Sequence, residues 1–264
     1  MTVASGSNWN PDIYLRFAAY RARPAEDLMA QLKVTVAGDI CDLGCGPGNL
    51  TLQLKQRWPD RQVIGVDSSR EMLEAARARD KDNLIAWREG DIATWRADKP
   101  PALIFANASL HWLDDHQTLV PNLLQQLAPG GTLAVQMPQT AESKYSRCIY
   151  NVMRSPRWKA KVGDMSLHPD PRPAAFYYDA IAPFAAEAEV WETNYNHVLP
   201  GAHPVRDWML GTSLRTVRGV LTEAEQPEFI ADYDAETERA YPRQVDGTVL
   251  FDMRRLFILA RRAG

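Results

Sequence analysis

Cysteine is scarce in this chain: 264 residues hold only Cys41, Cys45 and Cys148. An odd number, in a chain too long to need covalent staples, reads as reduced thiols rather than a disulfide framework. Cys41 and Cys45 have no second pair and no histidine group beside them, so small-residue packing accounts for them better than zinc. Long apolar runs are missing too. No stretch approaches the roughly 20 residues that cross a bilayer, and Met1 to Ser7 lacks the basic start and apolar core of a signal peptide. The expectation is a soluble, cytoplasmic protein. Charge of one sign is also lacking: the net charge is −3, with no basic cluster of the kind that marks nucleic-acid binders. There is no internal repeat and no low-complexity tract, and nothing calls for an obligate protein partner. The 45% hydrophobic content is enough for a full core, and a single α/β domain, 1–264, with insertions is the natural reading.

The most informative segment is Cys41-Asp42-Leu43-Gly44-Cys45-Gly46-Pro47-Gly48-Asn49. Three alternating glycines follow an apolar strand-like run and precede a helix-like one, so the backbone can turn sharply and a ligand can approach a helix start rich in free N–H groups. Dinucleotide enzymes favour G-x-G-x-x-G, whereas this loop is G-x-G-x-G with Asp42 ahead of it. A second apolar run, Val63 to Val66, ends in Asp67, 19 residues beyond Gly48, where such folds place an acid for ribose hydroxyls. Ser68 follows it. A third run, Leu84 to Trp87, leads to Glu89-Gly90-Asp91-Ile92, and a fourth, Ala102 to Phe105, leads to Ala106-Asn107-Ala108-Ser109-Leu110-His111-Trp112. Taken singly, the glycines suit any tight strand-to-helix turn and Asp67 suits a helix cap. Together, in order and at strand carboxyl ends, they favour a cofactor site.

The alternation predicts strands at Asp39–Leu43, Gln62–Val66, Leu84–Trp87, Ala102–Phe105 and Thr132–Met137, with helices beginning near Asn49, Ser69 and His116. An opening helix is expected from about Pro11 to Leu32, and the cofactor core from about 34 to 138. Beyond Pro138 the pattern changes: 139–187 and 200–250 read as insertions, including a helix over 142–158, a Pro-rich loop at 169–173 and helices from His203 to Tyr241 with Thr222 as an N-cap. Strands return at Ala188–His197 and Leu256–Ala260, within last-strand regions of about 188–199 and 254–262. The expected architecture is a Rossmann-like, doubly wound sheet of about seven strands, the last antiparallel, with helices on both faces.

The loop resembles motif I of the class I S-adenosylmethionine-dependent methyltransferases, and Pro129-Gly130-Gly131 before the fifth strand is similar as well. The resemblance implies S-adenosylmethionine as cofactor, bound by Asp42, Gly44, Gly46, Gly48, Asn49, Asp67 and Ser68. It implies that Asp91 accepts from the adenine amino group, that Ile92 packs on the ring, and that Asn107 and Ala108 floor the methionine portion. The chain lacks the Pro-Pro-Tyr/Phe element by which many amino-methyltransferases of nucleic acids hold a flipped base. The acceptor is then a small molecule.

Arginines suggest which kind. Arg16, Arg21 and Arg23 lie beside Trp9, Tyr14 and Tyr20, while Arg172, Arg215 and Arg218 come later. Guanidinium groups bind carboxylates in bidentate fashion, so they suit a small polycarboxylate, although arginines on amphipathic helices are commonly solvated. Trp9 to Phe17, Asp42 to Asn49, Phe105 to Trp112, Ala134 to Pro138, Tyr177-Tyr178-Asp179, Asp207-Trp208 and Leu214-Arg215 are similar, in the same order, to the trans-aconitate 2-methyltransferase family. That resemblance implies monomethyl esterification of trans-aconitate, with Trp9, Tyr14, Tyr20, Arg23, His111, Trp112, Tyr178 and Arg215 as candidate substrate contacts and no certain catalytic residue. Two other functions stay open: a methyltransferase for another small carboxylate or an amine, and a non-catalytic S-adenosylmethionine-binding protein. Ser109 has no evident His/Asp partner, against a hydrolase triad, and His116, His168, His197 and His203 lack metal-ligand spacing.

Overall fold

The computed structural model describes residues 18–140, 143–167 and 172–264. Its centre is a seven-stranded sheet of order β3-β2-β1-β4-β5-β7-β6. The strands are β1 Ile40–Leu43, β2 Val63–Asp67, β3 Ile85–Glu89, β4 Leu103–Asn107, β5 Thr132–Pro138, β6 Ala185–Leu199 and β7 Val249–Arg262. Strands β1 to β5 pair in parallel, and β7 runs antiparallel to β5, from Thr132↔Arg261 to Pro138↔Arg255. Every residue of β1 and β5 is buried, which is why neither alternates apolar with polar side chains, even though Asp42, Thr132 and Gln136 are among the buried residues.

The helices are α1 Ala18–Gln31, α2 Asn49–Arg57, α3 Arg70–Arg79, α4 His116–Gln126, α5 Lys144–Met153, α6 Lys159–Val162, α7 Ala174–Ile181, α8 Pro204–Met209, α9 Ser213–Arg218 and α10 Glu225–Ala240. None of the described helices is long and apolar enough to cross a membrane. Several starts have an evident cause. Ser69 accepts from the Met72 N–H at 3.2 Å, Ser143 accepts from the Ser146 N–H at 3.2 Å, and Asp115, at φ 52°, accepts from the Thr118 N–H at 3.3 Å.

The chain divides into two compact units. The second comprises Pro24–Pro138, Pro171–Thr193 and Arg255–Gly264. Its core cluster lies on one face of the sheet, where Leu43, Val66, Ile104, Val135 and Ile258 share a register face, and includes Leu124 and Tyr177 from the covering helices. The first comprises Met1–Arg23, Gln139–Asp170 and Asn194–Arg254. Its separate core is aromatic: Tyr145, Trp158, Trp208, Phe229, Tyr233 and Phe251 are all buried in one cluster.

Some expected boundaries need correction. The helix expected over 142–158 is α5 followed by a break at Ser155-Pro156 and the short α6, because proline cannot continue the ladder. Thr222 does not cap with its side-chain oxygen. Its hydroxyl and N–H both donate to the Glu225 carboxylate, at 2.7 and 2.8 Å, and α10 starts at Glu225. The two late strands are longer than the alternation indicated, and β7 carries Asp252, Arg254 and Arg255 within it. The expected start of the opening helix at Pro11 lies outside the described residues.

Candidate functional site

The glycine loop leaves the carboxyl end of β1, and its three glycines all have positive φ: 76° at Gly44, 53° at Gly46 and 81° at Gly48. Their surroundings differ. A Cβ on Gly44 would fall 2.3 Å from the Ser109 Cβ, and one on Gly48 would fall 2.5 Å from the Trp87 ring. At Gly46 the same direction meets nothing within 4 Å among the described residues, so no described side chain fills the space beside the middle glycine. Gly48 precedes Asn49, the first residue of α2, and no described side chain caps that start. The first-turn N–H groups of α2 are therefore available to a ligand.

The loop is held from β2 and β4. Gly44 and Cys45 donate their N–H groups to the Val66 carbonyl at 2.8 and 3.0 Å. Asp67, at the end of β2, accepts the Gly46 N–H on Oδ2 at 2.8 Å and the Ser69 N–H on Oδ1 at 2.9 Å. One carboxylate thus clasps the loop to the start of α3 and keeps further lone pairs for ligand hydroxyls. Ser109 donates to the Leu43 carbonyl at 2.7 Å, so its hydroxyl is spent on the β1–β4 seam.

Beneath the loop Asp42 is buried, with the Thr51 hydroxyl 2.6 Å from Oδ2. Burial pushes its carboxyl up to about 7, the Thr51 hydrogen bond opposes that, and Asp67 nearby adds to it. The thiols of Cys41 and Cys45 flank it, both buried, and burial pushes Cys41 up to about 12. They are inert packing groups at neutral pH.

At the next strand ends, Ser68 is exposed, and so is Asp91, whose Oδ1 accepts the Ala93 N–H at 2.9 Å. Ile92 is 9% exposed and belongs to the sheet core, beside Gly44. Asn107 ends β4. Its Oδ1 is buried and meets no donor among the described residues. Ala108 follows at φ 51°, donating its N–H to the Gln136 carbonyl at 2.8 Å.

His111 and Trp112 lie on a single 3₁₀ turn, His111 buried and Trp112 55% exposed, with ring centroids 4.7 Å apart. That turn is fixed by His116. Its Nε2 sits 2.9 Å from the Leu110 carbonyl, which can only accept, so Nε2 carries the proton and Nδ1 accepts the Tyr177 hydroxyl at 2.6 Å. Tyr177 is buried while its neighbour Tyr178 is half exposed.

The remaining acceptor candidates belong to the first unit. Tyr20 donates its hydroxyl to the Val198 carbonyl at 3.0 Å and sits edge-on to His197. Arg23 is exposed, its guanidinium 5.7 Å from the centroid of the Tyr195 ring. Arg215 is exposed on α9. Trp9 and Tyr14 lie outside the described residues. Three supporting side chains were not evident from the sequence: Thr51, Asp80 and Trp87. For Thr51 the available signal was a hydroxyl on the first turn of the helix that follows the loop.

A methyltransferase-domain family model matches residues 40–131, the segment that contains the loop and the first four strands. The trans-aconitate 2-methyltransferase of Azoarcus sp. (strain BH72) is 43% identical over 96% of this chain and 99% of its own length. That of Yersinia pestis (strain Pestoides F) is 42% identical over 96% of this chain and 98% of its own. The chain belongs to the trans-aconitate 2-methyltransferase family. Solved structures agree on the fold. The YcgJ protein from Bacillus subtilis aligns with a TM-score of 0.57 at 14% identity, covering 93% of this chain and 99% of that one. Phosphoethanolamine N-methyltransferase 2 of Haemonchus contortus, solved with S-adenosyl-L-methionine, gives 0.53 at 15% identity, covering 92% of this chain and 53% of that one.

Proposed function

We propose that this protein transfers a methyl group from S-adenosyl-L-methionine to one carboxylate of trans-aconitate, giving a monomethyl ester. The observation that carries the reading is near-full-length identity of 42–43% to relatives of that name, joined to a loop clasped by Asp67 with no described side chain filling the space beside Gly46. S-Adenosyl-L-methionine supplies an electrophilic methyl on a sulfonium. Asp67 receives the ribose hydroxyls, Asp91 the adenine amino group, and the α2 start with Gly44, Gly46, Gly48, Asn49 and Ser68 lines the approach. Ile92, Asn107 and Ala108 complete the cofactor's contacts, and Asp42 lies behind the loop, where it carries negative charge once the pH rises past its raised value of about 7.

On the acceptor side, an aconitate carboxylate has a pKa near about 4, so it is an anion at neutral pH and needs no general base. Placement is the enzyme's contribution, and holding oxygen, methyl and sulfur in line is worth on the order of 7–11 kcal/mol. We assign the two carboxylates that do not react to Arg23 and Arg215 and leave the attacking oxygen unpaired by a strong cation, with Tyr20, His111, Trp112 and Tyr178 as further candidate contacts of the acceptor. A guanidinium paired with the attacking oxygen would lower its nucleophilicity.

The test is methyl transfer from labelled S-adenosyl-L-methionine to trans-aconitate, cis-aconitate, citrate, isocitrate and an acyl-thioester acid. Base-labile ester formed preferentially on trans-aconitate is the expected result. Cofactor binding without ester on any of these acids would reject the acceptor.

A further inference from the structure

Trp87 stands directly across from Gly65 in the β2–β3 ladder. A Cβ on Gly65 would lie 2.5 Å from the Trp87 ring, and one on Gly48 would lie 2.5 Å from its far edge. The indole therefore occupies space that exists only because both positions are glycine, and it touches the sheet and the third glycine of the loop at once. Its rim is fixed as well. Nε1 donates to Asp80 Oδ2 at 3.1 Å, and the buried Asp80 also accepts the N–H groups of Leu84 at 2.9 Å and Ile85 at 3.0 Å. One carboxylate thus ties the end of α3, the start of β3 and the indole together.

We infer that Trp87, anchored by Asp80, is a positioning residue for the cofactor loop, setting the height of Gly48 and with it the first turn of α2. The inference rests on the reading that this loop binds S-adenosyl-L-methionine. Neither Trp87 nor Asp80 is assigned a contact with cofactor or acceptor. Trp87→Phe removes the indole N–H and the ring edge beneath Gly48 while leaving an aromatic ring over Gly65.

Titration calorimetry with S-adenosyl-L-methionine, run first on the unaltered protein, separates the two levels. No binding there overturns the cofactor reading itself. Given binding, Trp87→Phe is expected to raise Kd about tenfold, the ratio for a loop that holds its binding-competent position about one-tenth of the time once its anchor is gone. Its trans-aconitate KM, and kcat at saturating cofactor, should stay within about twofold. Unchanged Kd in a variant that melts cooperatively overturns the inference, as does an equal rise in both substrates' constants. Should Trp87→Phe not fold, Asp80→Asn leaves the ring and weakens its anchor, and unchanged cofactor Kd there is equally fatal. A second comparison isolates the ring contact. Gly65→Ala should weaken cofactor binding strongly beside Trp87 and negligibly in a Trp87→Leu background. Equal weakening in both would show that the indole is not the transmitting group.

Discussion

Replacing Asp42 with asparagine is expected to make the ligand-free protein more heat-stable at pH 8 while it weakens cofactor binding. Asp42 is 2% exposed, and Thr51 is the only hydrogen-bond donor described on its carboxylate, with no cation among the described groups that act on it. Burial raises the carboxyl from 3.8 to about 7, so the folded chain holds this proton more tightly than the unfolded chain. A raised folded-state pKa contributes stability that is complete below about pH 4 and is lost as the pH climbs through about 7. Above that pH the fold carries an enclosed charge. At about 1.36 kcal/mol per pH unit, the difference from a permanently neutral side chain reaches about 4 kcal/mol. In a chain of this length about 1 kcal/mol moves Tm by about 2 °C or more, so Asp42→Asn should melt about 8 °C higher at pH 8, with the gap narrowing to about 3 °C at pH 5 and closing only below about pH 4. Thermal melts of both proteins across pH 5 to 8.5 measure this directly. If the two Tm profiles run parallel across that range, the buried-charge argument is refuted. The same charge makes a favourable partner for a cationic cofactor, so cofactor affinity of the parent should rise with pH over this interval, and that of the variant should not.

Asp67→Ala removes the acceptor of two backbone N–H groups and of the proposed ribose contact, and should raise the cofactor Kd about a hundredfold by calorimetry. An unchanged Kd would reject the site. Arg215→Ala is expected to raise the trans-aconitate KM about tenfold in steady-state assays with cofactor KM intact, as befits loss of a charge-assisted contact. Gly44→Ala combines a left-handed backbone, costing about 1–2 kcal/mol, with a collision against Ser109, and should abolish cofactor binding in an equilibrium assay even where protein is recovered.

The sequence made the cofactor half legible for a physical reason. Strands buried on both faces must be short apolar runs, and a backbone turning sharply into a helix must use glycine, so β1, β2, β4 and the loop announce themselves in single letters. The bounds of β7 did not, because its run is broken by charged residues of three kinds: Arg254 is exposed, Asp252 is half-buried and Arg255 is buried despite its charge. Asp42 was readable as a loop residue, but its proton was not, since that depends on Thr51 and on enclosure by neighbouring strands. Asp80 and Trp87 were silent for a related reason. The indole's contacts are to glycines, which leave no mark of what fills the space beside them, and Asp80 serves the backbone of its own chain segment. The arginines had the opposite fault: Arg23 and Arg215 stand out in composition, yet exposure alone does not separate a carboxylate ligand from a solvated cation.

The insertion of β7 between β5 and β6 has a consequence for how the chain is made. Residues 132–138 and 185–199 leave the ribosome well before 249–262, yet the sheet order gives those two strands no pairing with each other. Until β7 arrives, β5 presents an open edge of unpaired backbone groups whose side chains the finished fold buries, and β6 has no neighbour on its inner side. The nascent polypeptide therefore carries an unpaired strand edge for the span of more than a hundred residues, during which a chaperone or the slow approach of the β7 segment decides whether that edge meets its own strand or another molecule's. A chain cut before Val249 would hold every glycine and acid of the cofactor loop and still lack the strand that closes the sheet beside β5.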